Sequence, residues 1–266
     1  MKKRWITFDL DGTLMQNPFV GHVFPEIERR ILLENKLLEN VVGQIIGEHV
    51  IRLKDGRIAD AYDWDDIVMH FLKANELQTS IDVVEILSGF CMEPNVYLLE
   101  DSIGEVLDEL KRLGYSLAVV TNGFTKYQLP VMDELKLTEH FDLIVTPQEA
   151  GFAKPDVRVY DLVLKHGEIV AHVGDRIDDD VISANAIGVR SVWICRQLPD
   201  SMKEMAPTER RRVPEMHELA LRKLMKETKT QFERLPVEAI PQEVIYSVLE
   251  LPSVLRNEGE GAKWQS

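Results

Sequence analysis

The sequence predicts an α/β fold: a core built on a parallel sheet, with a second, mainly helical domain inserted into it. Strand-like and helix-like runs alternate at short spacing from residue 97 to residue 195, which is typical of βαβ units with helices on both faces of a sheet. Residues 16–95 instead show mostly helical periodicity. We therefore predict a core formed by residues 1–15 and 96–266, interrupted by a helical domain at residues 16–95.

The first core element is a short strand at residues 4–8, which ends abruptly at Asp9, and Gly12 then permits a sharp turn. Three helices are predicted in the inserted segment. One carries apolar residues at i, i+3, i+4, i+7 and i+8 from Trp64, with Asp63 as its N-cap. The other two cover residues 25–38 and the apolar repeat at 83–90, the latter behind a cap at Ser80.

Four strands are predicted after the inserted segment, at residues 116–120, 141–145, 169–173 and 189–195. Helices are predicted before and between them, at residues 103–113, 128–135, 156–165 and 181–187. Ser102 and Glu105 form a capping-box pattern at the first of these helices. Gly114, Gly167 and Gly188 are predicted to end helices.

The C-terminal part contains a predicted insertion at residues 197–240, between the last two elements of the core. It is polar and charged, but it includes an apolar helical stripe of Met216, Leu219, Ala220, Leu224 and Met225. The stripe is expected to pack either on the chain's own core or on a second subunit. A homodimer is therefore one of the two alternatives. A strand-like run at residues 243–248 and a short helix at residues 249–255 are predicted to follow.

Composition limits the partners that the chain can bind. A formal net charge of −14 argues against nucleic acid and anionic membranes, both of which require positive patches. The sequence has no apolar run of about 18 residues, and its first apolar run stops at Phe8, which is too short for a signal peptide. Cys91 and Cys195 lack the spacing of a metal site, which favours free thiols in a reducing compartment. We predict a cytoplasmic protein.

Polar residues follow several of the predicted strands. Asp9, Thr121 and Asp175 each lie at or just after a strand's end, and ligands of open parallel sheets bind outside the carboxyl ends of the strands. We therefore expect these three residues to converge. Asp11 and Asp180 add further carboxylates, and such a group repels itself unless a hard cation such as Mg²⁺ is bound.

Lys154 and Thr121 supply a fixed positive charge and a hydroxyl group for a bound oxyanion. A carboxylate nucleophile, a metal ion, a lysine and a hydroxyl group together indicate phosphoryl transfer. The sequence therefore predicts a Mg²⁺-dependent site that acts on phosphate.

Four motifs in this order resemble those of the haloacid dehalogenase (HAD) superfamily, over residues 1–14 and 97–196. They are Phe8-Asp9-Leu10-Asp11-Gly12-Thr13-Leu14, Val119-Val120-Thr121-Asn122-Gly123, Gly151-Phe152-Ala153-Lys154-Pro155-Asp156, and Val173-Gly174-Asp175 with Asp180. The resemblance implies a Rossmann-like core of the subfamily I type. It also implies that residues 16–95 are a C1-type cap, with hinges near residues 15–20 and 93–97.

The resemblance also implies a phosphatase that hydrolyses a small phosphorylated metabolite through a phospho-aspartate. Its implied roles are assigned residue by residue. Asp9 is the nucleophile, and Asp11 is the general acid and base. Thr121, Asn122 and Lys154 bind the substrate phosphate. The metal ligands are Asp9, the main-chain carbonyl of Asp11, and Asp175, supported by Asp180 or, at a spacing of four rather than five, by Asp179.

Three alternatives to a phosphatase fit the sequence less well. A dehalogenase of this superfamily needs neither the second aspartate nor a metal, so Asp11 and the acidic fourth motif argue against one. Phosphonate cleavage requires a Schiff-base lysine in the cap, and no motif distinguishes Lys36, Lys54 or Lys73. A non-catalytic phosphate-binding protein should have lost Asp9 or Lys154, and both are present.

Structural roles, rather than catalytic ones, are expected for other polar residues. Asp178 and Asp179 precede a helix and suit its N-terminus, and His172 is expected in the core. Arg29, Arg30, Arg52 and Lys54 of the inserted segment are expected on a solvated face.

Overall fold

The computed structural model describes residues 2–256, and a six-stranded sheet is the centre of the fold. The strands, in chain order, are β1 (Lys3–Phe8), β2 (Met15–Gln16), β3 (Tyr97–Leu98), β4 (Ser116–Val120), β5 (Leu143–Val145), β6 (Gly167–Gly174), β7 (Arg190–Ile194) and β8 (Glu243–Ile245). The order in the sheet is β5-β4-β1-β6-β7-β8, and every pairing in it is parallel. The predicted α/β fold with a parallel, Rossmann-like sheet is confirmed.

The helices connect the strands and cover the sheet. They are α1 (Phe24–Glu34), α2 (Val41–Lys54), α3 (Trp64–Ala74), α4 (Val83–Phe90), α5 (Ile103–Arg112), α6 (Thr125–Glu134), α7 (Pro147–Ala150), α8 (Asp161–Leu164), α9 (Ile182–Ala186), α10 (Asp200–Lys203), α11 (Pro207–Arg210), α12 (Pro214–Thr228) and α13 (Leu251–Arg256). Strand β4 is an almost continuous buried apolar run, as central parallel strands are.

Helices α1–α4 all lie between β2 and β3, which pair with each other as an antiparallel ribbon. The Asp63 side chain accepts a hydrogen bond from the Asp66 N–H, so the predicted cap of α3 is confirmed. The prediction of Ser80 as the cap of α4 is wrong. Asp82 caps that helix by accepting from the Glu85 N–H, because it directly precedes the first helical residue. Helix α2 was not identified from the sequence.

Two local predictions in the core are also wrong. Ser102 makes no capping hydrogen bond with its side chain, because its backbone (φ −77°, ψ −5°) is already helical and N-caps need an extended one. Gly167 does not end a helix but begins β6, where an added Cβ would lie 2.1 Å from the Lys3 carbonyl oxygen. The predicted helix before it is a 3₁₀ turn at Val157–Tyr160 followed by α8.

The predicted insertion lies between β7 and β8 and contains α10, α11 and α12. Met216, Ala220 and Leu224 of its apolar stripe are buried, packed in one cluster with Trp193 of β7 and Val244 of β8. The stripe therefore covers the chain's own sheet. A homodimer stays a prediction, without support from this stripe.

No helix among residues 2–256 combines the length and apolar character needed to cross a membrane. Cys91 and Cys195 are free thiols, as predicted.

Candidate active site

Three carboxylates meet at the carboxyl ends of β1 and β6. Oxygens of Asp9, Asp175 and Asp180 lie within 4.8 Å of one another. The sheet places the first two, because the strands that they follow are neighbours and the Asp9 N–H bonds to the Val173 carbonyl at 2.9 Å. Gly12 lies against the group at a φ of +83°, where an added Cβ would be 2.9 Å from the Asp175 carboxyl carbon.

Lys154 joins two of these carboxylates. Its Nζ lies 2.8 Å from Asp9 Oδ1 and 2.6 Å from Asp180 Oδ1, and its side chain is 1% exposed. Burial alone lowers the pKa of Lys154, but the two carboxylates raise it well above its usual value. Burial raises the pKa of Asp9, and the Lys154 ammonium opposes that rise. The lysine is therefore a fixed positive charge beside Asp9.

His172 supports the same arrangement from inside the sheet. Its Nε2 is 3.0 Å from Asp180 Oδ1 and its Nδ1 is 2.9 Å from Thr7 Oγ1. Burial lowers the pKa of His172, which favours the neutral ring, with the proton on one nitrogen. We assign the proton to Nε2, because a carboxylate only accepts. The Thr7 hydroxyl then shares its proton between Nδ1 and the Ala171 carbonyl. The prediction of a core histidine is confirmed, and the histidine directly contacts a site residue.

Asp179 and Asp180 face different partners. Asp180 contacts Lys154 and His172, and its Oδ2 accepts from the Arg176 N–H at 2.9 Å. Although burial alone raises the pKa of Asp180, Lys154 and His172 hold it below its usual range. Asp179 Oδ2 instead lies 2.9 Å from Arg176 Nε, and burial raises its pKa to about 7. Geometry therefore favours Asp180 as the carboxylate of the cluster.

An added Cβ on Gly174 would lie 2.1 Å from the Asp180 carboxyl carbon. The glycine that ends β6 thus makes room for Asp180.

Thr121 and Asn122 follow β4, the neighbour of β1 on its other side. Both are buried. Asn122 Oδ1 accepts from the Lys154 N–H at 2.8 Å, and its Nδ2 donates to the Lys154 carbonyl at 3.0 Å. Nδ2 also lies 3.0 Å from the Tyr62 hydroxyl of the inserted segment. The Asn122 side chain therefore holds the second and third motifs together, and a contact of this side chain with phosphate stays a prediction.

Asp11 has a partner that the sequence did not reveal. Gln128 of α6 donates from Nε2 to Asp11 Oδ2 at 2.7 Å, whereas Asp11 Oδ1 is buried with no hydrogen-bond partner among the described residues. Burial raises the pKa of Asp11. The predicted helix begins at residue 128, but nothing in its pattern separates a glutamine that faces the site from an ordinary helix former.

The insertion also contributes to the site. Lys223 Nζ of α12 lies 3.0 Å from Asp175 Oδ2, and this contact too was missed. Lysines are common on the solvated faces of helices, so only the tertiary packing distinguishes Lys223.

Contacts across the inserted segment and the core are ionic as well as apolar. Lys126 Nζ of α6 lies 2.8 Å from Asp63 and 2.7 Å from Asp65. The arginines of the segment pair with acidic residues of the segment itself: Arg29 with Glu26, and the buried Arg52 with Glu48 and Asp66. Arg52 therefore does not lie on a solvated face, contrary to the prediction, because its partners draw it into the segment's interior.

The carboxylate cluster fits a metal ion. Asp175 Oδ1 is buried without a hydrogen-bond partner among the residues described, and carboxylate oxygens are the ligands that hard cations prefer. Asp9, Asp175 and Asp180 could hold such an ion.

Comparisons with known proteins agree with the motifs. Residues 3–188 match the family model described as haloacid dehalogenase-like hydrolase. The chain is 34% identical over 127 residues to a phosphoserine phosphatase of Thermus thermophilus, covering 46% of this chain and 51% of the relative. It is 30% identical over 161 residues to the human haloacid dehalogenase-like hydrolase domain-containing protein 3, covering 58% and 62% of the two chains. The chain thus spans less than two thirds of either relative.

The fold is also similar to a crystal structure of a HAD phosphatase from Thermococcus onnurineus. The TM-score is 0.64 at 21% sequence identity, over 96% of this chain and 98% of the other. The family model covers more than half of the 266 residues, and its four characteristic motifs meet at one end of the sheet. The chain belongs to the haloacid dehalogenase-like hydrolase family.

Proposed function

We propose that this protein is a Mg²⁺-dependent phosphatase that hydrolyses a small phosphorylated metabolite through a phospho-aspartate at Asp9. One observation carries the proposal: the Asp9 carboxylate lies 2.8 Å from the Lys154 ammonium, inside a group of carboxylates suited to a divalent cation. A nucleophile, a fixed positive charge and a cation site at one point are the requirements of phosphoryl transfer.

In the proposed reaction, Asp9 attacks phosphorus while Lys154 and the Thr121 hydroxyl bind the phosphate oxygens. Asn122 contributes beside Thr121. Asp11 donates a proton to the leaving oxygen and then removes one from the water that hydrolyses the phospho-aspartate. Its raised pKa supports the acid role, because a carboxyl group must hold a proton near neutral pH to donate it.

The residues that would hold Mg²⁺ are Asp9, the main-chain carbonyl of Asp11, and Asp175, with Asp180 in support. When bound, Mg²⁺ supplies positive charge against the phosphate oxygens and favours the ionised form of Asp9. Lys154 divides its contacts between Asp9 and Asp180, and this fixes the nucleophile's orientation.

The alternatives have less support. Asp11 has no role in a dehalogenase of the superfamily, yet Gln128 holds it in place at 2.7 Å. Lys36, Lys54 and Lys73 are all exposed, which does not favour a buried Schiff-base lysine for phosphonate cleavage. A non-catalytic phosphate-binding protein remains the second candidate, and Asp9 with its ion pair to Lys154 argues against it.

We propose that the helical segment at residues 16–95 acts as the cap that selects the substrate. The Thermus relative is named for phosphoserine, and a small phosphate ester is the class that we extend to this chain. A cytoplasmic location stays a prediction.

The test is a panel of phosphate monoesters with Mg²⁺, repeated after chelation by EDTA. We expect hydrolysis of at least one small ester, lost with EDTA and restored by Mg²⁺. Asp9→Asn should abolish phosphoenzyme formation while the circular dichroism spectrum is retained. Substantial turnover by this variant would refute the role of Asp9, and no hydrolysis across the panel would refute the phosphatase.

A further inference from the structure

The insertion between β7 and β8 reaches the carboxylate cluster through one side chain. Helix α12 places Lys223 beside the end of β6, with Nζ 3.0 Å from Asp175 Oδ2. The Lys223 side chain is 34% exposed, so it reaches inward from a partly open position. None of the four motifs includes this residue.

A second residue of α12 holds Lys223 in place. Glu227, one helical turn further on, is 3.3 Å from Lys223 Nζ and its side chain is 5% exposed. Its Oε2 accepts from the N–H groups of Ile177 and Asp178, at 3.0 and 3.2 Å. Two contacts therefore anchor α12 to the segment around Asp175. Glu227 bonds to the main-chain N–H groups of Ile177 and Asp178, and Lys223 pairs with Asp175.

The two oxygens of Asp175 have different surroundings. Oδ2 contacts Lys223, whereas Oδ1 is buried without a hydrogen-bond partner among the described residues. The Asp175 main-chain carbonyl accepts from Trp193 Nε1 at 2.8 Å, which fixes the backbone. A partner on one carboxylate oxygen orients the other toward a metal.

We propose that Lys223 is a positioning residue for the cation site: it holds Asp175 by Oδ2, so that Oδ1 faces Asp9 and Asp180 as a metal ligand. This inference rests on the proposed function, because it takes the cluster to be a metal site. It gives the insertion a role in that site.

A lysine near a cation site also repels the cation, and this effect acts in the opposite direction. Glu227 lies 3.3 Å from the ammonium, and although burial raises the pKa of Glu227 to about 7, its ionised form offsets part of the lysine charge. We expect the orientation of Asp175 to be the larger effect. Partners that orient metal ligands typically change metal affinity by about 10- to 100-fold.

The experiment measures Mg²⁺ binding to the full chain without substrate, by calorimetry and by the fluorescence of the tryptophans, which include Trp193. Lys223→Met should raise the Kd for Mg²⁺ by at least about tenfold. Lys223→Gln keeps a donor for Asp175 Oδ2 and should stay within a few-fold of the wild type. Lys226→Met is the matched control, because Lys226 is exposed on the same helix, and it should bind Mg²⁺ as the wild type does.

Lys223→Met with unchanged or tighter Mg²⁺ binding would overturn the inference while leaving the proposed function intact. Equal losses in Lys223→Met and Lys223→Gln would also overturn it, because a merely structural role predicts no rescue. If the wild type itself binds no Mg²⁺, the proposed function fails, and the inference with it.

Discussion

Replacing Gln128 by leucine tests how the site prepares Asp11 for proton transfer. The change removes the 2.7 Å hydrogen bond from Nε2 to Asp11 Oδ2 and keeps a side chain of similar length at a position that is 4% exposed. This hydrogen bond stabilises the carboxylate that forms as Asp11 gives up its proton, and a hydrogen bond to a charged group contributes about 1.5–3 kcal/mol. At about 1.4 kcal/mol for each factor of ten, a step that depends on Asp11 should slow about 10- to 100-fold.

The assay separates acid catalysis from folding by a choice of leaving group. An alkyl phosphate needs a proton on its leaving oxygen, whereas p-nitrophenyl phosphate does not, because its phenolate is already stable. Rapid-quench measurement of phosphoenzyme formation should show a slow burst for Gln128→Leu with the alkyl ester. The burst with p-nitrophenyl phosphate should stay near the wild-type rate.

Gln78→Leu is the matched control, since Gln78 is exposed, and both of its bursts should be unchanged. A Gln128→Leu variant with a wild-type burst on the alkyl ester would refute the positioning of Asp11. An equal loss on both esters would show a general distortion of the site instead.

Two further predictions concern stability. Glu243 is buried in β8 with one unpartnered oxygen, and burial raises its pKa to about 7. Its stabilising contribution is complete below about pH 4.5 and is lost as pH rises through about 7, so Glu243→Gln should reduce the loss of urea stability between about pH 4.5 and pH 7. The expected difference is about 2–3 kcal/mol at about 1.4 kcal/mol per pKa unit, and an unchanged pH slope would contradict it. Gly174→Ala places a Cβ 2.1 Å from the Asp180 carboxyl carbon and should cost about 1–3 kcal/mol and weaken Mg²⁺ binding. Gly47→Ala, where the added Cβ meets nothing within 4 Å, should cost nothing, and equal urea midpoints for the two variants would refute the steric argument.

The sequence could predict most of the sheet because its strands are continuous apolar runs that end at polar residues, as β4 does at Thr121. It could also predict that Asp9 and Asp175 meet, because parallel strands align their carboxyl ends. The residues that cap the helices were less predictable. Ser102 and Ser80 have the right residue type for caps, but cap formation depends on backbone angles that the pattern does not encode. Helix α2 was missed within a segment that is helical almost throughout.

The residues that support the site could not be predicted for a different reason. Gln128 and Lys223 act through single contacts made across the fold, and each has an ordinary surface residue type on an amphipathic helix. The motifs identify groups that perform chemistry because those groups stand at fixed spacings. Supporting groups come from whichever element the topology brings near, here α6 and an insertion that lies outside the motifs.

The charges of the site connect the metal to the substrate. Asp9, Asp175 and Asp180 are carboxylates, and the ammonium groups of Lys154 and Lys223 contact them. Lys223 is also paired with Glu227, so the site is net negative when the three carboxylates are ionised. A phosphate dianion entering such a site would meet repulsion at short range in a poorly screened interior. In the proposed reaction, a divalent cation offsets this charge, so the same ion that relieves the carboxylates favours phosphate binding. Lys154 cannot do this alone, because the two carboxylates that it contacts already exceed its charge. In the proposed reaction, the requirement for metal therefore follows from the number of carboxylates around Lys154, and Lys223 sets how Asp175 faces the ion.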